Sequence, residues 1–595
     1  MAAALDGIKR LFSIQADFNL IDLRHLALGG RKDGWMLFLF ILGCLAANPY
    51  VIENFYYRLI ALIACGVPCA ILLFYGKIKY FYDKEFTFDP IMEQDKARPF
   101  RLPSSNPVGS LEDNIGKGIC VGYTTDTGEA VFIPYSHISQ HIAINGSTGT
   151  GKSVLATSMM AQQMRNGGGL CFIDGKLSNK ELLAVWQLAC WAGRELDLLI
   201  INAGDPSTSN TINPILRGDP QEVTSRIMML LPEVTGGADH YRSSALVAIQ
   251  IIISAFQRIG LPYSFQDLAA CLQDFDAFKY VETKLQLEYP DSQETVAWFS
   301  LMKGYVKNKF FDFDSFRTLL SGLAARLSQF SEGSFGQVMN SYNPEIDFEQ
   351  CILQNKIIYV MLPTMAKNEQ SIALAKILIA DMRTAISHFQ RLPAHMLPNP
   401  PFMILPDEAG SYIDEKTWGR IFEQARSSKI FLAPCYQTYA NLKPNGLETL
   451  SEVVMGNTLF KIFFKQLSTL SAQQAADEIG LYKQTTWALG SGEGVSSSGD
   501  EVDTSPIQNR GDNRASNFTQ REEEVYHVKT EEFKYIPIGD CILYYGGTHL
   551  YHLRVPLTTL TDKAAKEFGN VQFNHYAMDV VEGLNLRDIV RESVC

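Results

Sequence analysis

A chain of 595 residues, 46% hydrophobic and 19% charged, is long enough for several domains and too apolar to be disordered. Its 52 Lys and Arg against 64 Asp and Glu give a net charge of −12, which excludes a general nucleic-acid binder and confines any DNA contact to a local patch or pore lining. The 11 cysteines are scattered without a C-x-x-C pair, which argues against zinc or a disulfide framework and for reduced thiols in a cytoplasmic body.

Residues 1–82 carry two apolar runs, expected to span a membrane at about 35–52 and 59–75. Each is near the lower length for crossing a bilayer, about 17 residues. Arg31 and Lys32 precede the pair, Lys77, Lys79 and Lys84 follow it, and the short link holds Tyr56, Tyr57 and Arg58. Positive outer flanks and interfacial aromatics predict a two-helix transmembrane hairpin with both termini in the cytoplasm. A pair of buried core helices is the alternative reading, and neither run has the polar face it would need.

Residues 83–219 read as a proline-bearing linker and the first part of an α/β body. A β-hairpin is expected around Thr125–Gly128. Then comes N-G-S-T-G-T-G-K-S, Asn145 to Ser153, between a short apolar strand and a helix expected from Lys152 to about Arg165. That context is the one a phosphate-binding P-loop requires. Gly146, Gly149 and Gly151 let the backbone of Ser147, Thr148 and Thr150 curl its amides toward one anion. The helix adds its positive end, Lys152 reaches the outer phosphates, and Ser153 ligates Mg²⁺. Leu170 to Asp174 is a strand ending in an acid, where parallel sheets bind ligands, so Asp174 is a site-adjacent candidate. Residues 220–343 read as helix after helix and define an all-α insertion.

The body resumes over 344–560. Pro401 to Asp407 is an apolar strand running into Glu408. Asp407 would hold Mg²⁺ and Glu408 would orient and deprotonate the attacking water. Arg426 lies near the end of a helix, a candidate arginine finger acting across a subunit boundary. Gln437 follows the next strand, a candidate sensor of the γ-phosphate. From composition alone both are ordinary surface residues. Residues 489–520 are rich in Gly, Ser, Asp and Asn and read as a mobile loop. Residues 561–595 form a charged tail.

The ordered set resembles the coupling ATPases of type IV secretion and conjugation systems, the TraG/TraD class, and within it the DotL/IcmO branch and its plasmid relatives. The resemblance rests on the hairpin, the P-loop, the insertion and the Asp-Glu strand. It also rests on local strings: F-I-D-G-K at Phe172 to Lys176, N-T-I-N-P at Asn210 to Pro214, K-I-I-Y-V-M-L-P at Lys356 to Pro363, L-P-D-E-A-G at Leu405 to Gly410, Q-A-R-S at Gln424 to Ser427 and G-N-T at Gly456 to Thr458. It covers roughly residues 30–560.

The resemblance implies an α/β, RecA-like P-loop NTPase body with ATP and Mg²⁺ as cofactors. It implies a homo-hexamer at the bacterial inner membrane, Arg426 as the trans-acting arginine and Gln437 as the γ-phosphate sensor. Its partners would be secretion-channel components, relaxosome or effector proteins, and DNA through a local pore surface. The insertion would recruit DNA–relaxase complex or protein substrates. Only a few tens of residues follow the last strand, shorter than the DotL-type extension, which tilts the reading toward conjugation. Two alternatives remain. One is a nucleotide-switched membrane receptor or scaffold, which has no need of Glu408. The other is an FtsK- or HerA-like DNA translocase, which differs in its membrane segment.

Overall fold

The computed structural model describes residues 54–78, 118–231, 239–362, 368–412, 415–442, 449–491, 516–547, 549–558, 566–575 and 586. In chain order the strands are β1 (Ile119–Thr124), β2 (Ala130–Ile133), β3 (Ile142–Asn145), β4 (Leu170–Asp174), β5 (Leu198–Asn202), β6 (Val306–Lys307), β7 (Phe310–Phe311) and β8 (Ile357–Met361). Then follow β9 (Phe402–Pro406), β10 (Ile430–Leu432), β11 (Cys435–Tyr436), β12 (Phe460–Phe464), β13 (Leu481–Ser491), β14 (Ser516–Tyr526), β15 (Asp540–Tyr545) and β16 (His549–Arg554).

Two sheets carry the body. The first, in the order β10-β9-β4-β8-β5, is parallel throughout. The second runs β11-β3-β12-β15-β16-β1-β2. Its β11-β3-β12 core is parallel and the rest antiparallel. The segment 430–436 joins them, pairing with β9 through β10 and with β3 through β11. Pro434 sits at the crossing, and its carbonyl accepts the Ile144 amide at 3.1 Å. Here proline does no harm, because only its missing N–H would be lost to a ladder.

A buried His141 pins this crossing. Its Nε2 donates to the Phe422 carbonyl at 3.0 Å and its Nδ1 accepts the Leu432 amide at 3.1 Å. That pairing requires the neutral ring. Burial pushes the His141 pKa down to about 4, against the Phe422 bond that raises it, and the nearby Arg426 charge acts in the same direction as burial.

Strand periodicity decides which layer each side chain joins. In β4, Cys171 and Ile173 face one core while Leu170 and Phe172 face the other. In β8, Ile358 and Val360 alternate in the same way with Ile357 and Tyr359. Both faces are covered, so the strands are continuously apolar, as buried parallel strands must be. The helices Lys152–Arg165 and Asn179–Trp191 pack on one face. The helix Asn368–Phe389 packs on the other.

Between β5 and β8 the chain is helical, through Pro220–Met228, Asp239–Arg258, Phe265–Gln273, Phe275–Glu288, Gln293–Lys303, Phe313–Ser331 and Gly333–Met339. The strong apolar stripes follow the helical period, with Ile249, Ile252, Ile253 and Phe256 all at 0% exposure in Asp239–Arg258. The core of this helical part is continuous with that of the body. Its apolar residues belong to one continuous cluster with Ile173, Ile201 and Val360 of the parallel sheet. Sequence reading also passes over the β6-β7 hairpin, whose turn residues Asn308 and Lys309 both have positive φ, 52° and 71°.

The string Asn210–Pro214 is a clasp at the root of this helical part. Asn210 Nδ2 donates to Glu345 Oε1 at 2.9 Å, and Thr211 N donates to Glu345 Oε2 at 2.8 Å. Asn213 Nδ2 donates to the Tyr263 and Ser341 carbonyls at 2.9 and 3.0 Å. Ile212 and Ile346 form a parallel bridge, so the outgoing and returning chain are tied side by side.

Two expectations change. The loop placed at 489–520 is narrower, because 489–491 and 516–520 are strand, paired in the β13-β14 ribbon from Leu481↔Tyr526 to Ser491↔Ser516. Residues 492–515 lie outside the described residues. The two-span hairpin is not supported. Its first span, 35–52, lies outside the described residues, and among the described residues no helix is long and apolar enough to cross a membrane. The second span falls on the helix Phe55–Ile78, whose side chains are described only as far as Gly66.

Candidate functional site

The P-loop lies at the carboxyl end of β3 and leads into the helix Lys152–Arg165. Gly149 and Gly151 have φ of 75° and 124°, positions that a side chain would strain. Gly146 is small for a different reason: a Cβ there would come within 2.5 Å of the Phe464 Cβ. Lys152 is buried and folds back over the loop. Its ammonium donates to the Gly146 carbonyl at 2.5 Å and to the Ser147 carbonyl at 3.0 Å. Burial lowers its pKa, while Asp407 and Glu408 oppose that.

Late segments brace the loop. Ser147 N donates to the Lys465 carbonyl at 3.0 Å, and Leu467 N to Ser147 Oγ at 2.9 Å. Gly539 N donates to the Thr150 carbonyl at 2.9 Å. These contacts come from far along the chain and no motif announces them. Thr150 also closes the turn on itself, Oγ1 donating to the Ser147 carbonyl at 2.7 Å. Thr148 is exposed on the loop.

The acids arrive on β9, next to β4 and β10. Asp407 is 4% exposed, and the Tyr412 hydroxyl locks its carbonyl at 2.6 Å. Glu408 adopts a left-handed backbone, φ 51° and ψ 40°. A residue of this type held there costs about 1–3 kcal/mol and aims a side chain that an extended strand would not. Gln437 Nε2, just past β11, donates to Glu408 Oε1 at 3.4 Å. Ser153 and Asp407 line one small cavity, together with Glu181. The structure therefore brings together Lys152, Ser153, Asp407, Glu408 and Gln437.

Arg426 is not part of that cluster. It is exposed on the turn Ala425–Ser428, before the amino end of β10, while Gln437 follows the carboxyl end of β11.

Asp174 has a structural task that its position alone does not reveal. It is fully buried, and its Oδ1 accepts the Lys176 amide at 2.7 Å. Its Oδ2 accepts the Ser178 amide at 2.8 Å and the Tyr359 hydroxyl at 2.9 Å. It thus holds the turn after β4 in shape. That turn presents Lys176, a residue to which sequence reading gave no role. The Lys176 ammonium lies 3.1 Å from Asp407 Oδ2 and 3.2 Å from Glu408 Oε1. Burial opposes its charge, but the two carboxylates outweigh it and hold its pKa above the ordinary lysine range. Glu181 is the other omission. Its Oε2 is buried without a partner, and burial, then Asp174 and Asp407, push its pKa up to about 7.

These residues fit a magnesium nucleotide. The loop offers helix N-terminal amides and a lysine for phosphate. The Ser153 hydroxyl and the Asp407 carboxylate, on one cavity, are oxygen donors suited to Mg²⁺.

No family model matches the chain. In sequence it is similar to the type 4 coupling protein DotL of Legionella pneumophila subsp. pneumophila, at 23% identity over 377 residues, 53% of this chain. The chain matches 47% of the length of DotL. In fold it is similar to the bacterial conjugative coupling protein TrwB lacking its first 70 residues, with a TM-score of 0.51 at 13% identity. That match covers 79% of this chain and 96% of the other. TrwB in complex with a non-hydrolysable GTP analogue matches with the same TM-score and identity over 79% and 98%. TrwB with ADP and Mg²⁺ gives 0.50 and 13% over 76% and 93%. Such likeness carries the α/β, RecA-like fold. The resemblance drawn from the sequence strings thus agrees with the likeness to DotL in sequence, and TrwB adds the likeness in fold.

Proposed function

We propose that this chain is an ATP-hydrolysing coupling protein of a type IV secretion or conjugation system. One observation carries the reading: Lys152 and Ser153 of the P-loop meet Asp407, Glu408 and Gln437, which follow the carboxyl ends of β9 and β11. A P-loop alone binds phosphate. The added acid pair, with Gln437 on the second acid, supplies what hydrolysis needs.

In this reading the loop amides and Lys152 hold the phosphates, and Ser153 and Asp407 hold Mg²⁺, which neutralises charge on the transferred phosphoryl group. Glu408 takes the proton of the attacking water, and Gln437 keeps its carboxylate in place. Positioning and electrostatics do the work, in a pocket lined by β-strand tips. Arg426, remote from its own site and exposed, acts on the site of the next subunit in a ring, which makes a homo-hexamer part of the proposal. The helical part at 220–343 recruits the cargo, relaxosome or effector proteins, and DNA runs along a local pore surface. Membrane attachment through 35–75 belongs to the proposal as well. It is supported by the apolar runs and by the helix Phe55–Ile78, which leaves Leu59, Ile60 and Ile63 exposed.

The test uses two variants of the full chain. Glu408→Gln binds ATP without turnover, and Arg426→Ala binds ATP and turns over slowly. Mixed, they regain activity, because one intact acid pair meets one intact arginine at some boundaries. Full hydrolysis by Glu408→Gln would overturn the base, and mixing without recovery would overturn the shared site.

A further inference from the structure

We propose that Lys176 is the resident counter-cation of the Asp407–Glu408 pair in the nucleotide-free chain, and that it yields this place to the divalent cation when nucleotide binds. The inference rests on the nucleotide-site reading above and adds a residue to it. Two neighbouring carboxylates, one of them almost fully buried, repel each other, and a cation placed between them offsets that repulsion. The structure supplies one: the Lys176 ammonium bridges Asp407 Oδ2 and Glu408 Oε1 at 3.1 and 3.2 Å. Asp407 is also the oxygen ligand that shares a cavity with Ser153. A metal on Asp407 and an ammonium on the same carboxylate compete for one position.

The anchoring of Lys176 suits an exchange. Its backbone is fixed, because its amide is bonded to the buried Asp174, which Tyr359 and Ser178 hold in turn. Its side chain is 39% exposed. A fixed root with a flexible four-carbon stem lets the ammonium leave without moving the strand tips. The consequence is a site that refuses free divalent cation and accepts it only together with phosphate, whose charge can take over the ammonium.

Mn²⁺ is the probe, measured by electron paramagnetic resonance on the full chain with and without ADP. Wild type binds Mn²⁺ weakly alone and tightly with ADP. Lys176→Met binds Mn²⁺ alone about tenfold more tightly than wild type, the size expected for losing a half-exposed competing charge. Lys176→Arg, which keeps the charge, stays like wild type. Equal Mn²⁺ affinity of Lys176→Met and wild type without ADP overturns the inference. A second reading needs no variant: reductive methylation of Lys176 in wild type, followed by mass spectrometry, rises with Mg²⁺ and ADP and does not rise with ADP and chelator. Unchanged labelling, with ADP binding verified in the same sample, also overturns it. Asp407→Asn separates the two levels. If ADP-dependent Mn²⁺ binding survives that change, the nucleotide-site reading itself fails; if it is lost while Lys176→Met matches wild type, only the exchange fails.

Discussion

The two halves of the site are built in opposite ways. The phosphate half is one continuous stretch, Asn145 to Ser153, whose shape is set by its own glycines and by the helix that follows. The acid half is assembled from the tips of β4 and β9, neighbours in the parallel sheet, and of β11, at the edge of the other sheet, which are distant in sequence. A contiguous motif works by local geometry and tolerates changes elsewhere. An assembled one depends on the strand order and on the buried groups that hold each tip. Damage to the first should therefore appear in binding, and damage to the second in stability and turnover.

The largest expected effect tests the contiguous half. Lys152→Ala removes a buried ammonium aimed at phosphate, worth about 1.5–3 kcal/mol as a charge-assisted bond. ATP affinity, read by calorimetry, falls about 10- to 100-fold while the melting temperature barely moves. A large drop in melting temperature would mean that the lysine's bonds to the Gly146 and Ser147 carbonyls are structural, and the contrast between halves would weaken.

A smaller effect tests the assembled half. Asp174→Asn keeps the shape but loses a carboxylate that accepts three bonds. Unfolding free energy from denaturant titration falls by about 1–3 kcal/mol. Turnover falls with it, since the turn carrying Lys176 loosens, while ADP affinity stays within about threefold. Loss of ADP binding would show that the halves are not separable.

The smallest effect is a pH dependence. The Glu181 carboxyl has its pKa raised by burial and by Asp174 and Asp407 from 4.5 to about 7. A raised carboxyl pKa means that the folded state holds the proton more tightly than the unfolded one. The contribution is present below pH 4.5 and is lost as the pH rises toward about 7. In metal-free protein, Glu181→Gln should therefore raise the melting temperature at pH 8 and leave it unchanged at pH 4.5. Equal shifts at both would remove Glu181 from the acid half.

This asymmetry explains what the sequence disclosed. The P-loop and the Asp407–Glu408 pair were legible because each is a short string with its own strand and helix context. Gln437 was legible only as a polar residue past a strand; its bond to Glu408 depends on β10 and β11 lying between β9 and β3. Lys176 stood in a string that was noticed, yet its role follows from Asp174 bending the chain and from β4 lying beside β9. The braces at Lys465, Leu467 and Gly539 have no local signature, since a backbone contact can be made by almost any residue. The helical part was recognised by its period, but period says nothing about which neighbour shares its core. That is why its joint cluster with the sheet was missed. The ribbon of β13 and β14 was hidden by the polar composition that surrounds it.

The segment that crosses between the sheets has a mechanical consequence. At about 3.3 Å per residue, residues 430–436 reach about 20 Å from one end of the sheet to the other. Gln437 sits at one tip, against Glu408, and Arg426 lies just before the opposite tip. A ladder at each end, β10 on β9 and β11 on β3, and the His141 pin make this length a stiff rod. In the proposed ring, the residue assigned to one fuel site and the residue assigned to the next would be the two ends of a single lever. The backbone itself would then keep hydrolysis at neighbouring boundaries in step, without any signal having to travel through loops.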